Sequence, residues 1–187
     1  MNKFLAFFLI LIFSCSNNKE SNTNYIGYLV SNDSIKIPFN FDYKKSGISI
    51  NNGDELVFLR LNNSFKDSLK FESPFFEEYI NFKINGDSLK GYLYNQSLSR
   101  KIPFYAIPGI DRFENKFFSE NVDLNGEWRI IFNFSKSDSY EGKLIVNQSD
   151  SDVVSTVRTE TGDYGYMQGK INFNELSISN FNGSRAY

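Results

Sequence analysis

The chain has no histidine and a single cysteine, Cys15, in 187 residues. Without an imidazole it lacks the commonest general base near neutral pH and the commonest metal ligand. With one thiol it cannot form an internal disulfide, a thiolate cluster or a redox dithiol, which needs two sulfurs close together. Proline is scarce, at 4 residues, and the formal net charge is only −2 with no basic stripe, so nothing points to a nucleic-acid partner. No motif calls for a cofactor or a metal. The one apolar run, residues 4–12, is too short to cross a hydrocarbon core of roughly 30 Å at about 1.5 Å per residue.

What that run does fit is a leader. Lys3 supplies a cationic end, residues 4–12 an apolar centre, and Ser14 a small residue directly before Cys15. The expectation is a lipoprotein signal peptide over 1–14 with Cys15 as the lipidation site. An ordinary signal peptide with an incidental cysteine is the alternative. Two or more acyl chains on Cys15 make anchoring stable where one is marginal, and an acylated Cys15 leaves no free thiol. Residues 16–24 are rich in Ser and Asn and lack apolar period, so 15–24 reads as the lipidated residue plus a flexible tether of at most roughly 30 Å. The membrane is then the first partner and the bacterial cell envelope the location. Ser16 resembles the pattern that favours outer-membrane sorting over inner-membrane retention, with periplasmic or surface display left open. Losing Lys3 with the leader takes the formal charge to −3.

Aromatic residues make up 17% of the chain, with 20 Phe and 11 Tyr, a composition suited to a half-buried pleated surface. No stretch after the leader carries a sustained helical apolar period with caps. Short alternating segments separated by polar turns cover 25–30, 34–41, 48–51, 55–61, 68–71, 76–84, 89–94 and 100–106. Pro38 demotes its segment to an edge or a bulge, and Asn85-Gly86 is a favoured hairpin turn. Residues 108–125 are polar and without period, a linker or long crossover. Gly126-Glu127-Trp128 then opens a second set in which Trp128, Ile130, Phe132 and Phe134 alternate. The expected fold is all-β: an antiparallel β-sandwich or partly open barrel built from two successive meanders, 25–107 and 126–187, without significant helix. A Gly-x-Trp opening also occurs at the first strand of lipocalin-like barrels, where the indole plugs one end.

Chemistry-bearing constellations are few. Glu77 and Glu78 are neighbours on a strand and point to opposite faces, so they do not make a catalytic pair, and both read as solvated. Asp163 beside Tyr164 follows a glycine, which favours a backbone-bonding turn residue over a catalytic one. Trp128 offers a sugar-stacking surface, but its large apolar strand partners favour a core anchor. Asp33-Ser34-Ile35, Asp67-Ser68-Leu69 and Asp87-Ser88-Leu89 resemble an O-glycosylation acceptor of some envelope proteins, at Ser34, Ser68 and Ser88. Turn Asp followed by a strand start explains the same triplets.

The C-terminal stretch carries the most pattern. Thr161-Gly162-Asp163 supplies turn chemistry, Tyr164 to Gly169 alternates, Leu176 to Ser179 alternates again, and Phe181-Asn182-Gly183-Ser184 makes a further turn before Arg185-Ala186-Tyr187. The motif residues Gly162, Asp163, Tyr164, Gly169, Phe181, Gly183 and Ser184 resemble the end of the β-rich N-terminal region of lipid-anchored TlpA-like, thioredoxin-fold disulfide reductases. Residues 37–41, Glu55-Leu56, 67–69 and 101–106 sit in the order found in that region. In the family one more strand and then a Cys-x-x-C redox domain follow. The resemblance therefore implies a non-enzymatic accessory domain, an interaction or positioning module or the remnant of a split reductase, that works beside a separate thioredoxin-like protein or another envelope protein. It also implies an unfinished strand at 185–187, open to strand addition by another chain. The alternative function is a lipoprotein that binds a glycan or a small apolar ligand.

Overall fold

Apolar residues at every second position demand one buried face and one wet face, and two sheets satisfy that demand separately. The computed structural model describes residues 23–31, 35–65, 67–95, 97, 99–114, 122–173 and 175–187, and among them there is no helix. The strands are β1 (Thr23–Val30), β2 (Lys36–Lys44), β3 (Gly47–Asn52), β4 (Glu55–Phe65), β5 (Ser68–Glu72), β6 (Glu78–Asn85), β7 (Ser88–Asn95) and β8 (Arg100–Pro108). After the crossover come β9 (Gly126–Phe132), β10 (Tyr140–Ser149), β11 (Asp152–Thr159), β12 (Gly162–Asn172) and β13 (Glu175–Ser179).

The expected all-β fold of two successive antiparallel meanders is what the chain adopts, and strands β1 to β8, the first of them, close into a barrel. Closure comes from β8 returning to β1, with Tyr25 opposite Pro108 and Leu29 opposite Phe104. A closed sheet has no edge to protect. Pro38 is tolerated because β3 pairs only with residues 40–44 of β2, so that in the strand ladder Pro38 pairs with β1 alone. The sequence expectation of an edge thus holds locally inside a closed barrel.

The barrel is filled by its own rings. Phe39, Phe41, Phe71 and Phe82 are fully buried beside Leu29, Ile48, Ile50, Leu59, Ile80, Leu89 and Leu93. Ring centroids lie 5.7 Å apart for Phe39 and Phe41 and 5.0 Å for Phe71 and Phe82. Each such side chain contributes roughly 1.5–3 kcal/mol by leaving water. Gly27 makes room for this packing: a Cβ there would stand 2.6 Å from the Phe39 ring.

Strands β9 to β13 form a separate five-stranded sheet in the order β13-β12-β11-β10-β9, curled into half a barrel. Three fastenings lock it to the barrel. Phe181, just after β13, is fully buried against Phe39 with centroids 4.7 Å apart, and its backbone is held by the buried Asn52 side chain. Ser179 donates its hydroxyl to the Pro38 carbonyl at 2.5 Å. Arg112, from the crossover, lies in the seam. It donates to Asn40 Oδ1 at 2.7 Å, to the Ser179 carbonyl at 3.1 Å, to Gln168 Oε1 at 2.9 Å and to the Asn51 carbonyl. Burial pulls this guanidinium down to about 10. Residues 108–114 are therefore a structural strap, whereas 115–121 of the expected linker lie outside the described residues.

Up-and-down connection puts Thr23 at one mouth of the barrel. Asn52, the Asn52-Gly53-Asp54 reversal and Phe181 sit at the other. The Glu pair divides here as strand geometry requires. Glu77 faces solvent, but Glu78 is 5% exposed and accepts from Asn95 Nδ2 at 2.8 Å and Arg100 Nη2 at 3.1 Å. That corrects the expectation of a solvated Glu78: two donors offset the cost of removing its charge from water.

Candidate functional site

The two sheets treat their apolar faces differently, and the candidate site follows from that difference. Facing residues across β9 to β13 share a side of the sheet: Trp128 is opposite Leu144, Leu144 opposite Val157, Gly169 opposite Ile178 and Ile171 opposite Leu176. This row of apolar positions forms the concave side. Toward β11 and β12 it is closed, with Val146, Val153 and Ile171 buried. Toward β9 it is open. A groove of about 430 Å³ runs between Trp128, Ile130 and Leu144 on one wall and Val122, Leu124 and Leu176 on the other, with Arg129 and Glu175 at its rim.

Trp128 stands 46% exposed in this groove, and its indole N–H donates to the Leu124 carbonyl at 2.8 Å. The core-anchor reading is therefore corrected. Its strand partners are large and apolar, but among the described residues only Val122, Leu124 and Leu176 reach this face and no second sheet layer covers it. Phe134, the last residue of the alternating set, is 76% exposed in the following turn. Beneath the middle of the concave face the buried Ser155 hydroxyl has no hydrogen-bond partner among the described residues.

At its far end the concave face becomes aromatic. Phe132 stacks on Tyr140 with centroids 4.7 Å apart, and Tyr164 stacks on Tyr187 at 4.5 Å. The Tyr140 and Tyr164 hydroxyls share a hydrogen bond of 2.7 Å, which with partial burial pushes the Tyr164 phenol up to about 12. Glu141, Glu160, Thr159 and Thr161 edge a shallow recess in front of this row.

The remaining motif residues are architectural. Gly162 (φ +138°) opens β12 after the Glu160-Thr161 turn, and Asp163 Oδ1 accepts from the Gly165 N–H at 3.2 Å. Gly169 lets β13 approach: a Cβ there would meet the Ser177 carbonyl at 2.0 Å. Asn182 Oδ1 caps the last turn by accepting from Ser184 and Arg185, Gly183 takes φ +90°, and the Ser184 carbonyl accepts from Arg100 at 2.9 Å. Residues 180–187 pair with one another, Asn180 with Tyr187 and Phe181 with Ala186. The stretch 185–187 is thus the return limb of a small hairpin, and the edge strands of the sheet are β13 and β9.

Ser68 bonds Asn81 and Ser88 bonds the Asn85 carbonyl, so both hydroxyls serve the starts of their strands; Ser34 and Cys15 lie outside the described residues. The groove and the seam arginine were not singled out in the sequence. Alternation on β9 marked the apolar face, but no sequence signal reveals that a sheet lacks a covering layer. Among the described residues no three Asp, Glu or Cys side chains group as metal ligands. The fold and site define an all-β chain in which a filled barrel carries a half-open, aromatic-lined sheet. No family model, curated protein or solved structure matches the chain.

Proposed function

We propose that this chain is a non-catalytic, lipid-anchored envelope domain that receives a partner protein on the concave face of its second sheet. It corresponds on this reading to the accessory N-terminal region of a TlpA-like reductase, and the partner is a separate thioredoxin-fold protein. The observation that carries the reading is the contrast between the sheets. The barrel places its aromatics in a sealed interior, while β9 holds Trp128 and Ile130 beside water over a groove of about 430 Å³. An open apolar strip of that kind marks an interaction surface more often than an idle one. The barrel mouth at Thr23, where the tether begins, is opposite the mouth plugged by Phe181, so a membrane anchor at Cys15 would leave the curled sheet facing outward.

The test is site-specific photo-crosslinking in cells, with the reactive residue at Ile130 and, as control, at exposed Tyr92 on the barrel. The expected result is an adduct from Ile130 alone whose second protein carries a Cys-x-x-C thioredoxin fold. Equal adducts from both positions, or none from Ile130, would overturn the reading. One observation favours a second reading, a glycan ligand. The row Phe132, Tyr140, Tyr164 and Tyr187, with carboxylates and hydroxyls in front of it, has the mix of flat rings and acceptors that sugars use. Saturable change in tyrosine fluorescence on titration with envelope glycans would support it.

A further inference from the structure

We infer that β9 is a self-complementary edge through which two copies of this chain pair antiparallel, Trp128 against the partner's Trp128, to join their curled sheets into one. The inference concerns the backbone edge of β9 and stands whether or not the concave face receives a second protein.

Among the described residues, the seven residues of β9 bond β10 on one side and no backbone on the other. Natural edges are guarded by proline, by a bulge, by an inward charge or by being very short. Residues 126–132 contain no proline, their pairing with β10 runs without a register shift, and the inward positions 128, 130 and 132 are Trp, Ile and Phe. The outward charges do not repel a neighbour either, because they are one of each sign, Glu127 and Arg129, and each is paired with β10. Lys143 Nζ lies 2.7 Å from Glu127, and Arg129 Nε donates to Glu141 at 3.0 Å.

Charge selects both the occupant and the register. Placing Trp128 opposite its own symmetry mate sets Glu127 opposite the partner's Arg129, and Arg129 opposite the partner's Glu127. These two pairs across the seam add to the diagonal pairs that Glu127 makes with Lys143 and Arg129 makes with Glu141 inside each copy. Moving the register on so that Arg129 meets the partner's Arg129 sets like charges face to face, which destabilises a cross-strand pair. Moving it further sets Glu127 against the partner's Asn133, which sits in a turn with φ +52° and is no longer strand. In the favoured register Ile130 faces the partner's Gly126, where a Cβ would have no neighbour within 4 Å, so there is space for it. An isologous two-fold contact requires one patch to complement itself, and β9 does.

The test is sedimentation of the full chain, purified in detergent, as wild type, Glu127→Lys and Arg129→Glu. Wild type is expected to form a concentration-dependent dimer. Each variant alone sets like charges face to face, cation on cation in the Glu127→Lys chain and carboxylate on carboxylate in the Arg129→Glu chain. Each is expected to dimerise roughly tenfold more weakly. An equal mixture of the two variants restores both opposite-charge pairs and is expected to recover the dimer as a heterodimer. The one intrachain pair that each substitution breaks, to Lys143 or to Glu141, stays broken in that mixture, so recovery reads the contact between copies alone. A monomeric wild type, variants that dimerise as well as wild type, or a mixture that gains nothing would each overturn the proposal. If either variant loses its far-UV β signal, amide exchange of wild-type residues 126–130 decides instead: slowing with concentration supports the pairing, and no change refutes it.

Discussion

The side chain of Asn52 holds the backbone of Phe181 with both ends of its amide: Nδ2 donates to the Phe181 carbonyl at 2.9 Å, and Oδ1 accepts from the Phe181 N–H at 3.3 Å. Both residues are fully buried and 129 positions apart in sequence. The pair is the bolt between the sheets, since it fixes the one ring that the second sheet inserts into the barrel. Asn52→Ala leaves two buried backbone groups unpaired and is expected to cost about 2–4 kcal/mol in urea unfolding. Phe181→Ala removes the ring and is expected to cost about 3–5 kcal/mol. Because the two act on one contact, the double variant should lose clearly less than the sum.

Gly27 faces the barrel interior. Its alanine variant brings a methyl carbon to within 2.6 Å of Phe39, which must tilt into Phe41 and Phe104, already 5.7 and 6.1 Å away by centroid. The expected loss is about 1–3 kcal/mol in the same unfolding assay. A Gly27→Ala chain as stable as wild type would mean that the barrel is less tightly filled than described.

Arg112 carries four hydrogen bonds to neutral acceptors across the seam and has no carboxylate among them. Arg112→Met should therefore cost about 2–4 kcal/mol, as several buried acceptors are left without donors. Because burial in the folded state lowers this pKa to about 10, well below its ordinary value, the folded protein holds that proton at a disadvantage below pH 10. The penalty is relieved as pH rises from about 10 toward the ordinary guanidinium range, so Arg112 alone makes stability increase with pH in that window. Comparing unfolding midpoints of wild type and Arg112→Met across this range isolates the slope.

The Tyr140–Tyr164 hydrogen bond has the opposite sign. With burial and the neighbouring Tyr187 it raises the Tyr164 phenol from 10 to about 12, so this contribution is complete below pH 10 and is lost as pH climbs to about 12. In a spectrophotometric titration of phenolate, Tyr140→Phe should move the ionisation of Tyr164 down toward its ordinary value, since the hydrogen bond is the largest cause of the rise. A titration curve unchanged apart from one missing tyrosine would show that the two hydroxyls do not share a proton in solution.

How much of this was legible follows from which forces are local. Period-two alternation at Ile80, Phe82 and Ile84 and the Asn85-Gly86 turn are written into neighbouring residues, and the strands and hairpins can be read from them. Closure cannot. It depends on β8 finding β1, from Leu29–Phe104 to Tyr25–Pro108, a non-local pairing that no residue announces. Trp128 departs from its sequence reading for a related reason. Its partners Leu144 and Ile130 are apolar as a core requires, but whether a face is covered is decided by what packs on it from elsewhere in the chain. Glu78 departs from its reading because its donors, Asn95 and Arg100, lie 17 and 22 positions away. The motif residues Phe181, Gly183 and Ser184 are visible as a pattern, and only the structure gives them their work: a plug, a positive-φ turn and an acceptor for Arg100.

The most direct test of an open receiving face over a filled barrel is the fluorescence of Trp128, the chain's single tryptophan. It is best measured on the full chain diluted until it sediments as a monomer. At 46% exposure on the groove wall, the indole is expected to emit at the long wavelengths of a hydrated ring and to be quenched readily by iodide. Trp128→Ala is expected to leave the unfolding free energy within about 1 kcal/mol of wild type. Blue-shifted emission that iodide does not reach, with a core-sized loss of stability on substitution, would contradict the account.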